Sequence, residues 1–368
     1  MKEYIYVSKP AMPPLEEFLP YLESIWESQI LSNGGVFNDR LEKDLCSYLG
    51  VEHISLFSSG TTALIAAINS FDLDGEVITT PFSFVATSHA IKWNNLDPVF
   101  VDINKDTLNI SPEKIEQAIT DKTTAILAVH CYGNPCDVEA ISHIAQKYKL
   151  KVIYDAAHAF GVEDLSGSVL KYGDASVLSF HATKVFSTIE GGAVVCKSLE
   201  EKQGLDRFKN FGFSSHSTVD VLGLNGKMSE VNAAFGILQL KYLDEYILKR
   251  KNIFDFYMKE LSSIESLEFI QYKSGTNFNY SYFPILIGEN FPLNCEDLLV
   301  YLQQRNVMCR RYFHPLISDF DVYKTVLVSK PNFVNAQKAA EEILCLPIYP
   351  DLTKNNVARI VEMIRGLL

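Results

Sequence analysis

Residues 177–196 read VLSFHATKVFSTIEGGAVVC. Two apolar runs, VLSF and GGAVVC, flank a polar turn that carries one lysine, Lys184. Short apolar runs bounded by turn residues are the pattern of buried strands. The lysine is therefore expected in the loop between two strands of a sheet. Lysine is seldom buried unless it is paired or chemically employed. Held beside a sheet, its ammonium can lose its proton and become an amine nucleophile. A lone loop lysine is ordinarily just solvated, so the reading depends on what precedes it.

Three upstream features give Lys184 a partner chemistry. In KVIYDAAHAFG, residues 151–161, the apolar VIY ends at Asp155. Ligands of parallel α/β sheets lie outside the carboxyl ends of the strands. An acid there can hold a pyridinium N–H. That pairing lets pyridoxal 5'-phosphate (PLP) act as an electron sink while a lysine binds it as a Schiff base. Next, Ser58-Ser59-Gly60-Thr61-Thr62-Ala63 follows the apolar HISLF and opens the helical ALIAAINSF. Small residues at a helix start leave amides free to cradle a phosphate. Lastly, Ser179 precedes the lysine by five positions and offers a hydroxyl to the same phosphate. The order phosphate loop, acid, lysine is far more specific than any one of them.

This order resembles PLP enzymes of the aspartate aminotransferase fold, and most of all the DegT/DnrJ/EryC1/StrS family of nucleotide-sugar aminotransferases. Seven stretches carry the resemblance in family order: SSGTTAL, PFSFVATSHAI, AVHCYGNPCD, YDAAHAFG, SFHATKVFSTIEGGAVV, GLNGKMSEVNAAFGILQL and LCLPIYPDLT. It implies PLP fold type I: a mainly parallel central sheet with helices on both faces, and a smaller C-terminal α/β domain. The expected large domain is 1–240, with an N-terminal arm and helix, and the small domain 241–368. The resemblance also implies roles. Lys184 and Asp155 are catalytic, and Gly60, Thr61, Thr62 and Ser179 meet the phosphate. Phe84 lies flat on the cofactor ring, and His158 sits near its ring oxygen. Asn225 reaches the phosphate of a second subunit, so a homodimer with shared sites is expected. The turn at Asn33 lies near the sugar or is a plain turn. His181 is a candidate for the rim. Arg310, Arg311 and Tyr312, in VMCRRYFHPL, line the entrance, and the arginines either hold a diphosphate or are surface residues.

Composition narrows the class. The 368 residues carry a net charge of −12. That argues against nucleic acid or an anionic membrane as partner. Seven scattered cysteines with no CxxC pair fit reduced thiols in a cytoplasmic protein. Cys131 and Cys136 lack a second pair, so no metal site is expected. The N-terminal MKEYIYVSKPAMPP is unlike a signal peptide, and no apolar run is long enough to span a bilayer.

Along the chain, residues 1–14 are expected to be extended, because three prolines disfavour a helix. Helices are expected at Leu15–Ser28, Asn38–Leu49 and SPEKIEQAI, the last with Ser111 as cap and Pro112 at its first position. EVIT, PVFVDI and AILAVH read as strands. Past Cys196 the chain is expected to turn helical, first in the polar, mobile-looking SLEEKQGLDRFKNFGF and then in a long helix from Glu230 to about Lys251. SLEFIQ, YSYFPILI and the helical CEDLLVYLQQRN belong to the second domain.

The implied reaction moves an amino group from L-glutamate to a nucleotide-linked 4-keto-6-deoxyhexose, with dTDP-4-amino-4,6-dideoxyglucose as expected product. SFHATKVFST is closer to family members that aminate C4 than to those that aminate C3. The alternatives are C3 amination of a dTDP-3-keto-6-deoxyhexose, or a non-catalytic PLP-fold sensor or scaffold.

Overall fold

The computed structural model describes residues 4–324 and 332–368. Of the extended arm expected over residues 1–14, residues 1–3 lie outside the described residues.

A seven-stranded sheet organises the chain. Its strands are β1 (His53–Phe57), β2 (Glu76–Thr79), β3 (Asp97–Phe100), β4 (Thr123–Val129), β5 (Lys151–Asp155), β6 (Ala175–Ser179) and β7 (Gly192–Cys196), in spatial order β1-β7-β6-β5-β4-β2-β3. Only β7 runs antiparallel to its neighbours: Gly192 pairs with Ser179 on one side and Phe57 on the other. The carboxyl ends of β1, β5 and β6 therefore open on one edge, where β7 begins.

Alternation along the strands explains why both faces are covered. In β7, Ala193 and Val195 join Leu41, Leu45, Ile54, Leu56 and Leu178 in one apolar cluster. Val194 and Cys196 join Phe57, Leu64, Ala67, Leu127 and Val177 in another. The helices supplying these clusters include α1 (Leu15–Ser28), α2 (Val36–Leu49), α3 (Gly60–Asn69), α4 (Ala86–Trp93) and α7 (Leu199–Phe208), while α5 (Pro112–Ala118) and α6 (Val138–Tyr148) pack on Ile78, Ile126 and Val152 in a further cluster. Helix α1 has the expected bounds, and Ser111 caps α5 by accepting from the Lys114 amide. Helix α2 starts two residues earlier than expected. Buried Glu230 accepts from the Phe37 and Asn38 amides and so completes its first turn.

Two expectations are corrected. The stretch after Cys196 is helical as expected, as α7, but it is not mobile: a Ser198/Glu201 capping box and burial of Leu205 and Phe208 fix it. The long helix α8 (Glu230–Leu261) continues past Lys251, because Ile253, Tyr257 and Leu261 have an apolar cluster to join.

Helix α8 contributes to two cores. Ala233, Ile237 and Leu243 pack with the sheet cluster. Ile253, Tyr257 and Leu261 pack with Phe283–Ile287, Ile343–Leu346 and Cys295–Gln303, the elements of a smaller C-terminal layer. The chain start joins that second core as well: Ile5–Tyr6 pairs in parallel with Val307–Met308.

Candidate active site

A cavity of about 330 Å³ opens at the carboxyl edge of β1, β5 and β6. Gly60, Thr61, Phe84, Asp155, His158, Ser179, His181, Lys184 and Tyr312 all line it. Five separate segments of the chain thus meet there, as the order of motifs implies.

The phosphate-loop geometry starts at Ser59. Its hydroxyl accepts from the Thr62 amide at 3.1 Å, and the Thr62 hydroxyl accepts from the Ser59 amide at 3.1 Å. This reciprocal cap starts α3 and uses up the Thr62 amide and hydroxyl. Thr62 does not line the cavity, so its place is in the cap. The amides of Gly60 and Thr61 have no hydrogen-bond partner among the described residues. A Cβ on Gly60 would lie 2.8 Å from that of Ser179, so only glycine lets this turn approach β6. Two free amides at a helix N-terminus, beside a serine hydroxyl, make an anion cradle.

Asp155 ends β5 and is buried. Its Oδ2 accepts from Thr87 Oγ1 at 2.7 Å and its Oδ1 from the Ala157 amide at 3.1 Å. Burial raises its pKa above the usual carboxylate value, opposed by these two donors and by the charge of Lys184. A carboxylate so placed is favoured by a cationic partner.

Lys184 sits in a loop held at both ends. The Phe180 amide donates to Gly191 O at 2.8 Å, and the Thr188 amide to Phe180 O at 2.9 Å. Buried Phe180 and Phe186 meet edge to face at 4.9 Å, and Phe186 stacks on Phe160 at 4.5 Å. Desolvation pulls the Lys184 pKa down from 10.5 to about 8, with Asp155 opposing. An appreciable fraction is therefore free amine near neutral pH.

His158 is buried and held neutral, chiefly by desolvation, with a pKa well below the ordinary range. Its Nδ1 accepts from the Tyr132 amide at 3.2 Å, which leaves the proton on Nε2. The ring lies parallel to Phe313, with centroids 6.0 Å apart, and packs against Tyr282 at 4.7 Å. Phe84, at the rim, is 61% exposed.

Besides Thr62, four expected residues do not line the cavity: Asn33, Asn225, Arg310 and Arg311. Asn33 lines a different, polar hollow with Asn38, Lys202 and Lys227. Asn225 is exposed and lines no part of the catalytic cavity of its own chain. Arg311 is corrected as a diphosphate ligand. Its Nη1 binds Glu296 at 2.7 Å, and its Nη2 donates to the carbonyls of Ala340 and Glu341. Its guanidinium therefore ties the C-terminal layer together. Arg310 is exposed on an adjacent hollow that shares Ser83, Phe84, Tyr312 and Phe313 with the catalytic cavity.

Further residues complete the site: Glu190, Tyr282 and Phe313 line the cavity, and buried Thr87 backs Asp155. Thr87 lies inside PFSFVATSHAI, where a hydroxyl three residues after Phe84 was the available signal. Glu190 lies inside the lysine motif itself. Phe313 lies in VMCRRYFHPL, the stretch expected at the entrance, whereas Tyr282 comes from a distant segment and nothing in its local sequence marks it.

PLP needs an anion cradle, an acid for a ring nitrogen and a lysine of depressed pKa. This cavity holds all three, so the residues present fit the cofactor. The DegT/DnrJ/EryC1/StrS aminotransferase family model matches residues 15–365. The chain is 53% identical to dTDP-4-amino-4,6-dideoxy-D-glucose transaminase of Shigella dysenteriae, with 100% of both chains covered. It is 48% identical to the Escherichia coli transaminase of the same name, with 98% of each covered. Among solved structures, DesI, determined in the presence of its TDP-sugar product, superposes with a TM-score of 0.94 at 29% identity, covering 100% of this chain and 93% of that one. On the family match and these full-length identities, the chain belongs to the DegT/DnrJ/EryC1/StrS family and is a PLP-dependent aminotransferase.

Proposed function

We propose that this chain transfers the amino group of L-glutamate to dTDP-4-keto-6-deoxyglucose, giving dTDP-4-amino-4,6-dideoxyglucose. The observation that carries this reading is 53% identity, over the whole of both chains, to a transaminase named for that product. The cavity supplies the matching chemistry, since its lysine and acid are those an aminotransferase requires.

Bound PLP would supply an aldehyde that condenses with amines and a ring that takes up the electron pair released at carbon. Lys184 would be the residue that holds the cofactor between turnovers and, as a free amine, would take and return the proton at the donor α-carbon. A pKa near 8 suits it to take and return that proton near neutral pH. Asp155 keeps the ring nitrogen protonated. Gly60, Thr61 and Ser179 would hold the phosphate, and His158, with its proton on Nε2, would donate to the ring oxygen. Phe84 covers the ring face. Arg310 and Tyr312 are the proposed contacts to the sugar nucleotide at the entrance.

A homodimer belongs to the same proposal, with Asn225 crossing the two-fold interface to the phosphate cradle of the second copy. So does a division at 240/241, within α8. No described helix is long and apolar enough to cross a membrane, which agrees with the proposed place in the cytoplasm.

Purified protein loaded with PLP and given L-glutamate should aminate dTDP-4-keto-6-deoxyglucose faster than a 3-keto isomer, read by mass spectrometry of the amino sugar. Preference for the 3-keto isomer would favour the C3 alternative.

A further inference from the structure

Beside Lys184, at the mouth of the cavity, stand two side chains to which no role has been given as a pair. His181 Nε2 lies 3.7 Å from Glu190 Oε1, and both residues line the cavity. That distance is too long for a hydrogen bond between them. The side chains are 47% and 58% exposed, so each keeps its capacity for a ligand. Glu190 forms no ion pair with a lysine or arginine among the described residues.

The His181 ring and the backbone at Glu190 are held in place. His181 Nδ1 accepts from the Thr183 amide at 3.3 Å and lies 2.8 Å from the Thr183 hydroxyl. The accepting Nδ1 leaves the proton of the neutral ring on Nε2, the nitrogen nearest Glu190. The Glu190 carbonyl accepts from Thr188 Oγ1 at 2.8 Å and from Asn232 Nδ2 at 2.5 Å. Gly191 follows it, and a Cβ there would lie 2.1 Å from Thr188 Oγ1. The Lys184 amide donates to His181 O at 2.9 Å, so the pair and the lysine share one rigid loop.

A donor and an acceptor 3.7 Å apart fit a group that both donates and accepts at a single atom. A hydroxyl does this: its oxygen accepts from Nε2–H while its proton goes to the carboxylate. The α-ammonium of glutamate only donates, and its carboxylates would be repelled by Glu190. We infer that His181 and Glu190 read a hydroxyl of the sugar acceptor, on the carbon next to the keto carbon. This rests on the 4-keto-6-deoxyhexose reading. Of the two ring carbons flanking C4 in such a sugar, only C3 carries a hydroxyl, since C5 bears the methyl group. The pair would thereby set acceptor specificity.

The test compares dTDP-4-keto-6-deoxyglucose with its 3-deoxy counterpart as acceptors for the PLP-loaded enzyme. A charge-assisted hydrogen bond at a partly exposed site predicts a preference in kcat/KM of roughly 10- to 100-fold for the hydroxylated sugar. In Glu190→Ala that preference should collapse towards one. Glu190→Gln, which keeps an acceptor oxygen, should retain part of it. Calorimetric Kd values for the two amino-sugar products should follow the same pattern. Should Glu190→Ala fail to take up PLP, the Glu190→Gln and His181→Phe variants carry the comparison. An unchanged preference in the variants that load PLP overturns the inference. A wild-type enzyme that aminates neither sugar overturns the acceptor reading instead.

Discussion

Thr87 donates its hydroxyl to Oδ2 of Asp155 at 2.7 Å, from a helix 68 positions earlier in the chain. Thr87 is buried, and its own hydroxyl lies 2.9 Å from Ser83 Oγ. The acid at the end of β5 is thus aimed and kept ionisable by a residue of α4. In this account Asp155 works only as a carboxylate, so its donors matter as much as its charge.

Thr87→Val keeps the volume and removes the donor. A hydrogen bond to a charged group is worth about 1.5–3 kcal/mol, so kcat should fall about 10- to 100-fold. Thr87→Ser should restore most of it. Asp155→Asn should fall further, by two or more orders of magnitude, while still taking up PLP. Steady-state assays with glutamate, alongside absorbance titration with PLP, check both. An Asp155→Asn enzyme with wild-type turnover would place another residue at the ring nitrogen.

The pKa of about 8 at Lys184 sets a pH dependence in the unloaded protein. Below pH 8 the side chain is mostly ammonium and cannot attack an aldehyde. The rate of covalent PLP capture should climb about tenfold per pH unit there and level off above 8. An unshifted lysine would keep climbing towards 10.5. The same shift affects stability. Between about pH 8 and 10.5 the unfolded lysine binds more proton than the folded one, so stability of the unloaded protein should rise with pH across that window. Stopped-flow absorbance and denaturant melts measure the two effects.

Exposure of Asn225 outside its own cavity makes the shared-site dimer testable. Lys184→Ala and Asn225→Asp should each be inactive, the second because a carboxylate would face the phosphate. In mixed dimers one site carries both lesions and the other carries neither. After subunit exchange, activity should therefore return to about a quarter of wild type if the subunits mix at random. Mixed dimers that stay inactive would show that Asn225 acts within its own chain.

The sequence was most legible where function and local pattern coincide. VLSF and GGAVVC are buried strands, and their apolar runs also bracket the lysine. The small residues of SSGTT mark both a helix cap and an anion cradle. Contacts between segments were not legible. Tyr282 reaches the cavity from the C-terminal half, and an aromatic there looks like any of the 23 phenylalanines and 18 tyrosines. The adjacent Arg310 and Arg311 read alike, but Glu296 and two carbonyls capture only Arg311. Polar composition made α7 look mobile, whereas its two buried side chains and its capping box fix it.

The most direct test of the central claim uses 15N-labelled L-glutamate, dTDP-4-keto-6-deoxyglucose and the PLP-loaded enzyme, with NMR of the isolated sugar nucleotide. The account predicts 15N bonded to C4 in the gluco configuration, with no product from Lys184→Ala. Label at C3, or a labelled product from the alanine variant at the wild-type rate, would contradict it.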